Sequence, residues 1–444
     1  MTKDKGPRTK ETLNVCFVTG TRAEFGLMRS TLVAIRDHPR LQLQIVATGM
    51  HLDRDRGHSI DAIEANGWRV DRVVPWDGKC VATRAGSARC TGSAMAGIAA
   101  ALEELDSDIV LVVGDRVEAF AAAAAGHISG RVVAHIHGGD RAAGQVDDAL
   151  RHAITKLAHL HFPATAESAG RILKLGEDRW RIKRVGSPGL DGVTREAATR
   201  RDVAAEVGPL DWRRYALLLL HPVDADEAVE CARAEMVLKS VGSVPFPQIV
   251  IIYPNNDPGS RGIVQAWETI NAPGTVQDVK VAAGRPSGTA RKNPSLRDGA
   301  KNILEQIGAR SLRRLKNMDL TPDPAGRFII RPDVPRPVFL GLLRDAAVLV
   351  GNSSSGIIEA ASFGTPVVDV GPRQQGREHG ANVTHVPYGG VAVRRALRTV
   401  WSDGKPRRAG EGNIYGSGGA GKRIASALAG LQIDERLLRK LIAY

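Results

Sequence analysis

The chain has 444 residues, 43% hydrophobic and 25% charged, and carries a formal charge of +13 from 61 Lys and Arg against 48 Asp and Glu. That length and apolar share exclude a mainly disordered chain and predict two or three domains. The charge admits nucleic acid, an anionic membrane or a small phosphorylated ligand. Most of the cations are arginine, a bias that often follows genome composition, so the excess marks no particular face.

The start, Met1 to Lys10, is polar and has no apolar core of a secretion signal. No apolar run approaches the ~18 residues of a membrane span. Cys16, Cys80, Cys90 and Cys231 form no C-x-x-C pair. The expectation is a cytoplasmic protein with free thiols and no membrane partner.

Asn14–Gly20 is a short apolar run ending at glycine and reads as a buried strand. A helix is predicted over Glu24–Asp37 and a second strand over Leu41–Gly49. The rhythm repeats with Asp108–Gly114 as strand, Arg116–Gly130 as helix, Arg131–Gly139 as strand and Asp147–His159 as helix. A weakly patterned, charged linker is expected around Asp191–Trp212. A second series follows, with strands at Tyr215–Leu220, Gln248–Tyr253, Ala346–Val350 and Thr365–Val370. Ala282–Pro294 and Ser402–Gly421 read as loops, and Gly421–Tyr444 as a closing helix. Strands alternating with helices imply parallel sheets. The prediction is an α/β protein of two domains facing each other across a cleft. In such sheets ligands sit beyond the carboxyl ends of the strands, so the polar residues there are the candidates.

Gly20-Thr21-Arg22-Ala23-Glu24 follows the first strand; its N–H groups and Arg22 suit a phosphate, or form an ordinary turn with a surface arginine. Gly351-Asn352-Ser353-Ser354-Ser355-Gly356 joins a strand to a helix. Its small residues and hydroxyls favour a diphosphate over a simple cap, and Glu359 one turn on suits a ribose. Gly416 to Lys422 imitates a P-loop but is rejected. Arg423 replaces the Ser or Thr that would hold Mg²⁺, and no apolar strand precedes it. Asp115 follows a strand. Asp147 and Arg151 lie four apart on a predicted helix, as do Asp148 and His152, so an ionised acid–base group beside arginine is plausible chemistry. His135 and His137 share a strand and open a metal reading, but no third ligand is convincingly spaced, so no metal is expected. His221 ends a strand of the second series and suits either a phosphate or a packed position.

Taken in order along the chain, these segments resemble the UDP-N-acetylglucosamine 2-epimerase family, in particular its hydrolysing branch. The resemblance rests on Gly20 to Gly26, Gly114-Asp115-Arg116, His135-Ile136-His137-Gly138-Gly139-Asp140 and Asp147 to Lys156. It continues with Tyr253 to Ser260, Asn352 to Glu359 and Gly371 to Arg377.

The resemblance implies a GT-B architecture: a Rossmann-like domain over residues 1–200 on the sugar side, a second over 201–415 on the UDP side, and residues 416–444 returning to the first. It makes Asp115, Asp147, Asp140, His137 and His221 the catalytic candidates. It gives Arg22, His51, Arg116, Ser353, Ser354, Ser355, Gly356, Glu359 and Arg373 the substrate, with Arg22, His221, Ser353, Ser354 and Arg373 on the diphosphate, Glu359 on the ribose, and His51 and Arg116 on the sugar side. Many hydrolysing relatives carry Glu where His137 stands, so either His137 or Asp140 takes over its task, and the hydrolysing or non-hydrolysing outcome stays open. The resemblance further implies a homodimer and no cofactor, consistent with the lack of a G-x-G-x-x-G after a strand. The rivals are a GT-B glycosyltransferase and a non-catalytic nucleotide-sugar or nucleic-acid binder. The aligned acids disfavour the first, and only 4% aromatic residues disfavour nucleic acid.

Overall fold

A computed structural model of the chain describes residues 11–52, 59–76, 84–141, 147–254, 257–269, 327–402, 404–410 and 412–443. The predicted loop Ala282–Pro294 lies outside them.

The first half holds β1 (Leu13–Thr19), α1 (Arg22–Arg36), β2 (Leu41–Ala47), α2 (Ile60–Ala65), β3 (Arg72–Val73), α3 (Arg84–Glu104), β4 (Ile109–Val113), α4 (Val117–Ile128), β5 (Val132–Ile136), α5 (Asp147–Leu157), β6 (Leu160–Phe162) and α6 (Ala166–Lys174). Its six strands pair in the order β3-β2-β1-β4-β5-β6, all in parallel. β4 and β5 are buried along their whole length, as continuous apolar strands must be when helices cover both faces of a sheet.

The chain then forms α7 (Val193–Glu196) and α8 (Arg200–Val207). The expected linker is therefore largely helical. Val193, Val203, Val207 and Leu210 are buried in the core built by Leu217, Leu219 and Leu340. Charged residues mask the short apolar spacing that does this.

The second half holds β7 (Ala216–Leu219), α9 (Glu227–Gly242), β8 (Ile249–Ile252), α10 (Ser260–Glu268), β9 (Phe328–Arg331), α11 (Arg336–Asp345), β10 (Val348–Gly351), α12 (Ser354–Ile358), β11 (Val367–Val370), β12 (Val383–Val386) and α13 (Gly390–Val400), and a small hairpin of β13 (Trp401–Ser402) and β14 (Lys405–Pro406). The main strands run β12-β11-β10-β7-β8-β9. Both sheets thus have the doubly wound Rossmann order. The switch points lie between β1 and β4 and between β7 and β10, where such sheets open a crevice.

The tail is two helices, α14 (Ala420–Ala429) and α15 (Glu435–Leu438), instead of the single predicted one. α14 ends at Gly430, and Asp434 caps α15 by accepting from the N–H of Leu437. Ile424, Ala425, Leu428 and Leu437 pack with Phe17, Met28 and Leu32 in the first-domain core. The Arg181 guanidinium donates to the carbonyls of Arg436, Leu437 and Arg439. The rejected P-loop segment starts α14, and its N–H groups at Ala420 and Gly421 are taken by the Asp191 carboxylate at 2.8 and 2.7 Å.

Among the described residues no helix is long and apolar enough to cross a membrane. Cys16, Cys90 and Cys231 are free thiols, and burial pushes Cys16 up to about 12, too high for a thiolate nucleophile.

Candidate active site

Asp115 follows β4 after Gly114, a left-handed residue with φ of 78°. The register sets Val113 beside Ile136, so the turns after β4 and β5 emerge side by side. Arg151, on α5, joins them. Its guanidinium pairs with the Asp115 carboxylate and donates to the His137 carbonyl at 2.8 Å. Asp115, from the end of β4, is a partner of Arg151 that helical spacing does not show. Asp147 opens α5 one turn before Arg151, and its side chain lies outside the described residues. The other predicted pair, Asp148 with His152, is formed at 3.4 Å.

His137 has a φ of 60°, a left-handed conformation that costs a non-glycine residue roughly 1–2 kcal/mol and persists only under surrounding constraint. The constraint is visible: Nδ1 meets Asp140 at 2.8 Å and Nε2 meets Ser187 Oγ at 3.1 Å. The carboxylate assigns the proton to Nδ1, leaving Nε2 to accept from Ser187 in the neutral ring. Asp140 also accepts from Ser168 Oγ at 2.7 Å. Burial opposes its ionisation, but His137, with Arg151 and Arg377, outweighs that and holds it well below the usual carboxylate range. Both Asp140 oxygens are therefore committed, and so are both ring nitrogens of His137. His135 instead lies inside β5, with Nε2 on the Gly114 carbonyl at 2.8 Å, and burial lowers it to about 3. It is a packed strand histidine.

A second acidic cluster, which the sequence reading missed, lies under β1 and β2. Glu118, in the first turn of α4, is buried and takes both Nε and Nη2 of Arg116 at 3.2 Å. A Cβ at Gly20 would lie 2.7 Å from its Cγ, and one at Gly49 2.6 Å from its Oε1. Those two glycines make its room. Glu24 accepts from the N–H groups of Gly20 and Thr21 at 2.9 and 3.1 Å, closing a capping box with Thr21. Burial and the Glu118 charge raise it to about 7. His51 is fully buried, with Nε2 on Thr19 Oγ at 3.0 Å and Nδ1 on Ser59 Oγ at 2.8 Å, and burial lowers it to about 4. Both its ring nitrogens are engaged within the protein. The signal available was an acid two residues after Arg116, in the first turn of a helix.

On the second domain, Gly351 has a φ of 141°, and a Cβ there would lie 1.8 Å from the Leu219 carbonyl oxygen. Only glycine lets β10 turn this close to β7. Asn352 then clips the strand ends together. Its Oδ1 accepts from the His221 N–H at 2.7 Å and its Nδ2 donates to the His221 carbonyl at 2.9 Å. Arg373 Nη1 and Gln374 Nε2 both donate to the Asn352 carbonyl, at 3.1 and 3.0 Å. Burial pushes the Arg373 guanidinium below its ordinary value. Ser353 caps α12 by accepting from Ser355 N–H, while Ser354 and Ser355 are partly exposed. Gly356 packs 3.0 Å from Leu349 and Val367 side-chain carbons when given a Cβ, so it seats α12 on the sheet. Glu359 pairs with Arg336 Nη1 at 2.7 Å, and Arg336 was not among the predicted residues. Arg22 is exposed at the N-terminal turn of α1.

The two sets meet. Glu378, in the turn after β11, reaches Thr165 and Ser168, which follow β6 of the first sheet. The carboxyl edges of both sheets therefore face one cleft. One side presents ionisable groups, and the other presents N–H groups, hydroxyls and arginine, the set that holds an anion.

The family model described as UDP-N-acetylglucosamine 2-epimerase matches residues 33–291 and 292–429. A curated relative from Legionella pneumophila, named UDP-N,N'-diacetylbacillosamine 2-epimerase (hydrolyzing), is 32% identical over 97% of this chain and 99% of its own. A UDP-N-acetylglucosamine 2-epimerase from Neisseria meningitidis is 29% identical over 87% of each chain. Among solved structures, UDP-GlcNAc 2-epimerase from Neisseria meningitidis bound to UDP-GlcNAc superposes with a TM-score of 0.70 at 17% identity, covering 94% of this chain and 99% of that one.

Proposed function

This chain belongs to the UDP-N-acetylglucosamine 2-epimerase family, and on that premise we propose that it is a hydrolysing 2-epimerase of a UDP-linked 2-acetamido sugar. The observation that carries the reading is the Arg151 bridge between Asp115 and the His137 turn, at the carboxyl edge facing the diphosphate-suited loop. A glycosyltransferase needs the nucleotide half of such a cleft but has no use for proton-transfer groups at C2.

C2 of the sugar adjoins an acetal carbon and is not acidic, so its proton leaves only as UDP departs from C1. A base takes H2, the C2–H electrons form the C1–C2 double bond, and the C1–O electrons go to the UDP phosphate. The product is a 2-acetamidoglucal and UDP. The Asn352–Ser355 turn and Arg373 stabilise the departing diphosphate. Asp115, paired with Arg151, and Asp147 are the acid–base pair. His137, its tautomer fixed by Asp140, takes the place of the glutamate that other members carry. Water then adds its hydroxyl to C1 while C2 is protonated from the opposite face, giving the free manno sugar.

Hydrolysis is favoured over return of UDP by the hydrolysing relative that matches nearly the whole chain. That relative's name also supports a second reading of the sugar, a UDP-linked hexosamine with a further acetamido group. The deciding experiment incubates the protein with UDP-N-acetylglucosamine in D₂O and follows it by NMR. Deuterium at C2 of free N-acetylmannosamine, with UDP released, is the expected result. Deuterium in a UDP-linked manno sugar would select the non-hydrolysing mode. A UDP-linked diacetamido sugar turned over in its place would select the second reading. No exchange on either sugar would sink the epimerase proposal.

A further inference from the structure

The loop that carries Arg373 continues to Glu378, and there the second domain touches the first. The stretch is braced as one piece: Gln375 N–H bonds the Pro372 carbonyl, Arg377 N–H bonds the Gln374 carbonyl, and Arg377 Nη1 donates to Gln374 Oε1 at 3.0 Å. Tyr415 Oη donates to the Glu378 carbonyl at 2.8 Å. From this brace the Glu378 carboxylate accepts the Thr165 hydroxyl proton, with Ser168 Oγ 3.4 Å away and Arg171 Nη1 3.7 Å away.

Thr165 caps α6, its Oγ accepting from Ser168 N–H at 3.0 Å. A hydroxyl has one proton to give. Ser168 gives its proton to Asp140 at 2.7 Å, and Thr165 gives its proton to Glu378. One capping turn thus holds two carboxylates, one from each domain. Asp140 passes the contact to His137 and His137 to Ser187. All five first-domain members of this chain are buried. The Asp140 loop is packed on the same turn, since a Cβ at Gly139 would lie 2.2 Å from the Ser168 carbonyl oxygen, and Arg171 donates to the Gly139 carbonyl at 2.9 Å. A helix cap alone needs only Thr165. The carboxylate from the opposite domain is an addition that the fold of α6 does not require.

We propose that Glu378 is a positioning residue, coupling the seating of the nucleotide against Arg373 to the orientation of the His137 imidazole. This rests on the reading of His137 as an acid–base group given above. Glu378 already sits on Thr165, so a diphosphate that draws on Arg373 pulls on a braced loop whose other end is that contact. Ser168 is then left with Asp140 as its partner, and Asp140 holds the ring. Without Glu378, the Thr165 hydroxyl turns toward Ser168 and competes with that arrangement.

The test compares Glu378→Ala, Glu378→Gln and Thr165→Val in the full-length protein. Glu378→Ala is expected to lower kcat for C2 deuterium exchange about tenfold or more, the size seen when a supporting hydrogen bond is removed, with UDP affinity by calorimetry held within about threefold. Glu378→Gln, whose amide oxygen still accepts from Thr165, recovers most of the loss, and Thr165→Val reproduces it. In ¹⁵N-histidine NMR, with His137→Gln to assign the ring, UDP shifts the His137 signals of the wild type but not those of Glu378→Ala. Unchanged kcat and an unchanged UDP response in Glu378→Ala would overturn the proposal. So would a Glu378→Gln as impaired as Glu378→Ala. If the wild type exchanges nothing at C2, the epimerase reading fails, and the His137 signals still decide whether Glu378 positions the ring.

Discussion

The two halves of the cleft are built on sheets of the same strand order and use their switch points in opposite ways. Beyond β1, β4 and β5 the first domain gathers acids, histidines and arginines, each tied to a partner: Asp115 to Arg151, Asp140 to His137, Glu118 to Arg116. Beyond β7 and β10 the second domain gathers N–H groups, hydroxyls and small residues, with Arg373 held against the Asn352 carbonyl. The difference matches the task proposed for each half. Proton-carrying groups removed from water are costly unless paired, so they come as pairs. An anion needs donors left facing it, which small residues and a helix start supply.

If the halves are separable in this way, damage to one should leave the other's signature intact. Asp115→Asn is expected to have the largest effect. It should slow C2 exchange by roughly a hundredfold to ten-thousandfold, the range for a lost acid–base group, with UDP affinity unchanged by calorimetry. A parallel loss of UDP binding would break the separation. Arg373→Ala should show the reverse, weakening UDP by about 2 kcal/mol, or roughly thirtyfold, as expected for one charged hydrogen bond. Exchange at saturating substrate should fall too, because Arg373 also stabilises the departing diphosphate, but by less than in Asp115→Asn.

Ser353→Ala should sharpen the comparison further. It removes a helix cap and lowers stability by ~1 kcal/mol in denaturant melts. Ser354→Ala, which removes no cap, should leave the melt unchanged and weaken UDP instead.

A further expected effect is electrostatic and belongs to the first half alone. Glu24 ionises near 7 in the fold against an ordinary 4.5. Between those values the folded state holds more protons than the unfolded state, so stability falls as pH rises through that window. Glu24→Gln should flatten this slope in urea midpoints measured across it. Asp140 acts with the opposite sign. Held below its ordinary 3.8, it contributes stability above that value and loses it as pH falls further.

Much of this design is legible in the chain. Local apolar runs ending in glycine place β1, β4 and β10, because a strand buried on both faces needs an unbroken apolar stretch and a sharp exit. The same logic puts Asp115, His221 and Ser353 just beyond strand ends, where a parallel sheet opens its crevice; it left His137 inside a strand that in fact ends at Ile136. Spacing on one helix also predicted Asp148 with His152 correctly, since both groups belong to one local element.

Pairings between elements were not legible. Sheet register gave Arg151 a partner, Asp115, that helical spacing does not show. No sequence pattern links Glu378 to Thr165, Glu118 to Gly20 and Gly49, or Asp191 to the start of α14. The linker and the tail were misread for a related reason: their few apolar residues bury against cores formed far away in the chain. The sequence by itself determined the central strands, their parallel arrangement and the kinds of group at their ends, which depend on neighbours within a few residues; the edge strands β3, β6, β9 and β12 are too short or too polar to stand out. Only the tertiary structure decided which charges pair and which turns touch across the cleft. Those contacts depend on register and domain packing, and a side chain's few ångströms of reach selects a partner only after both are in place.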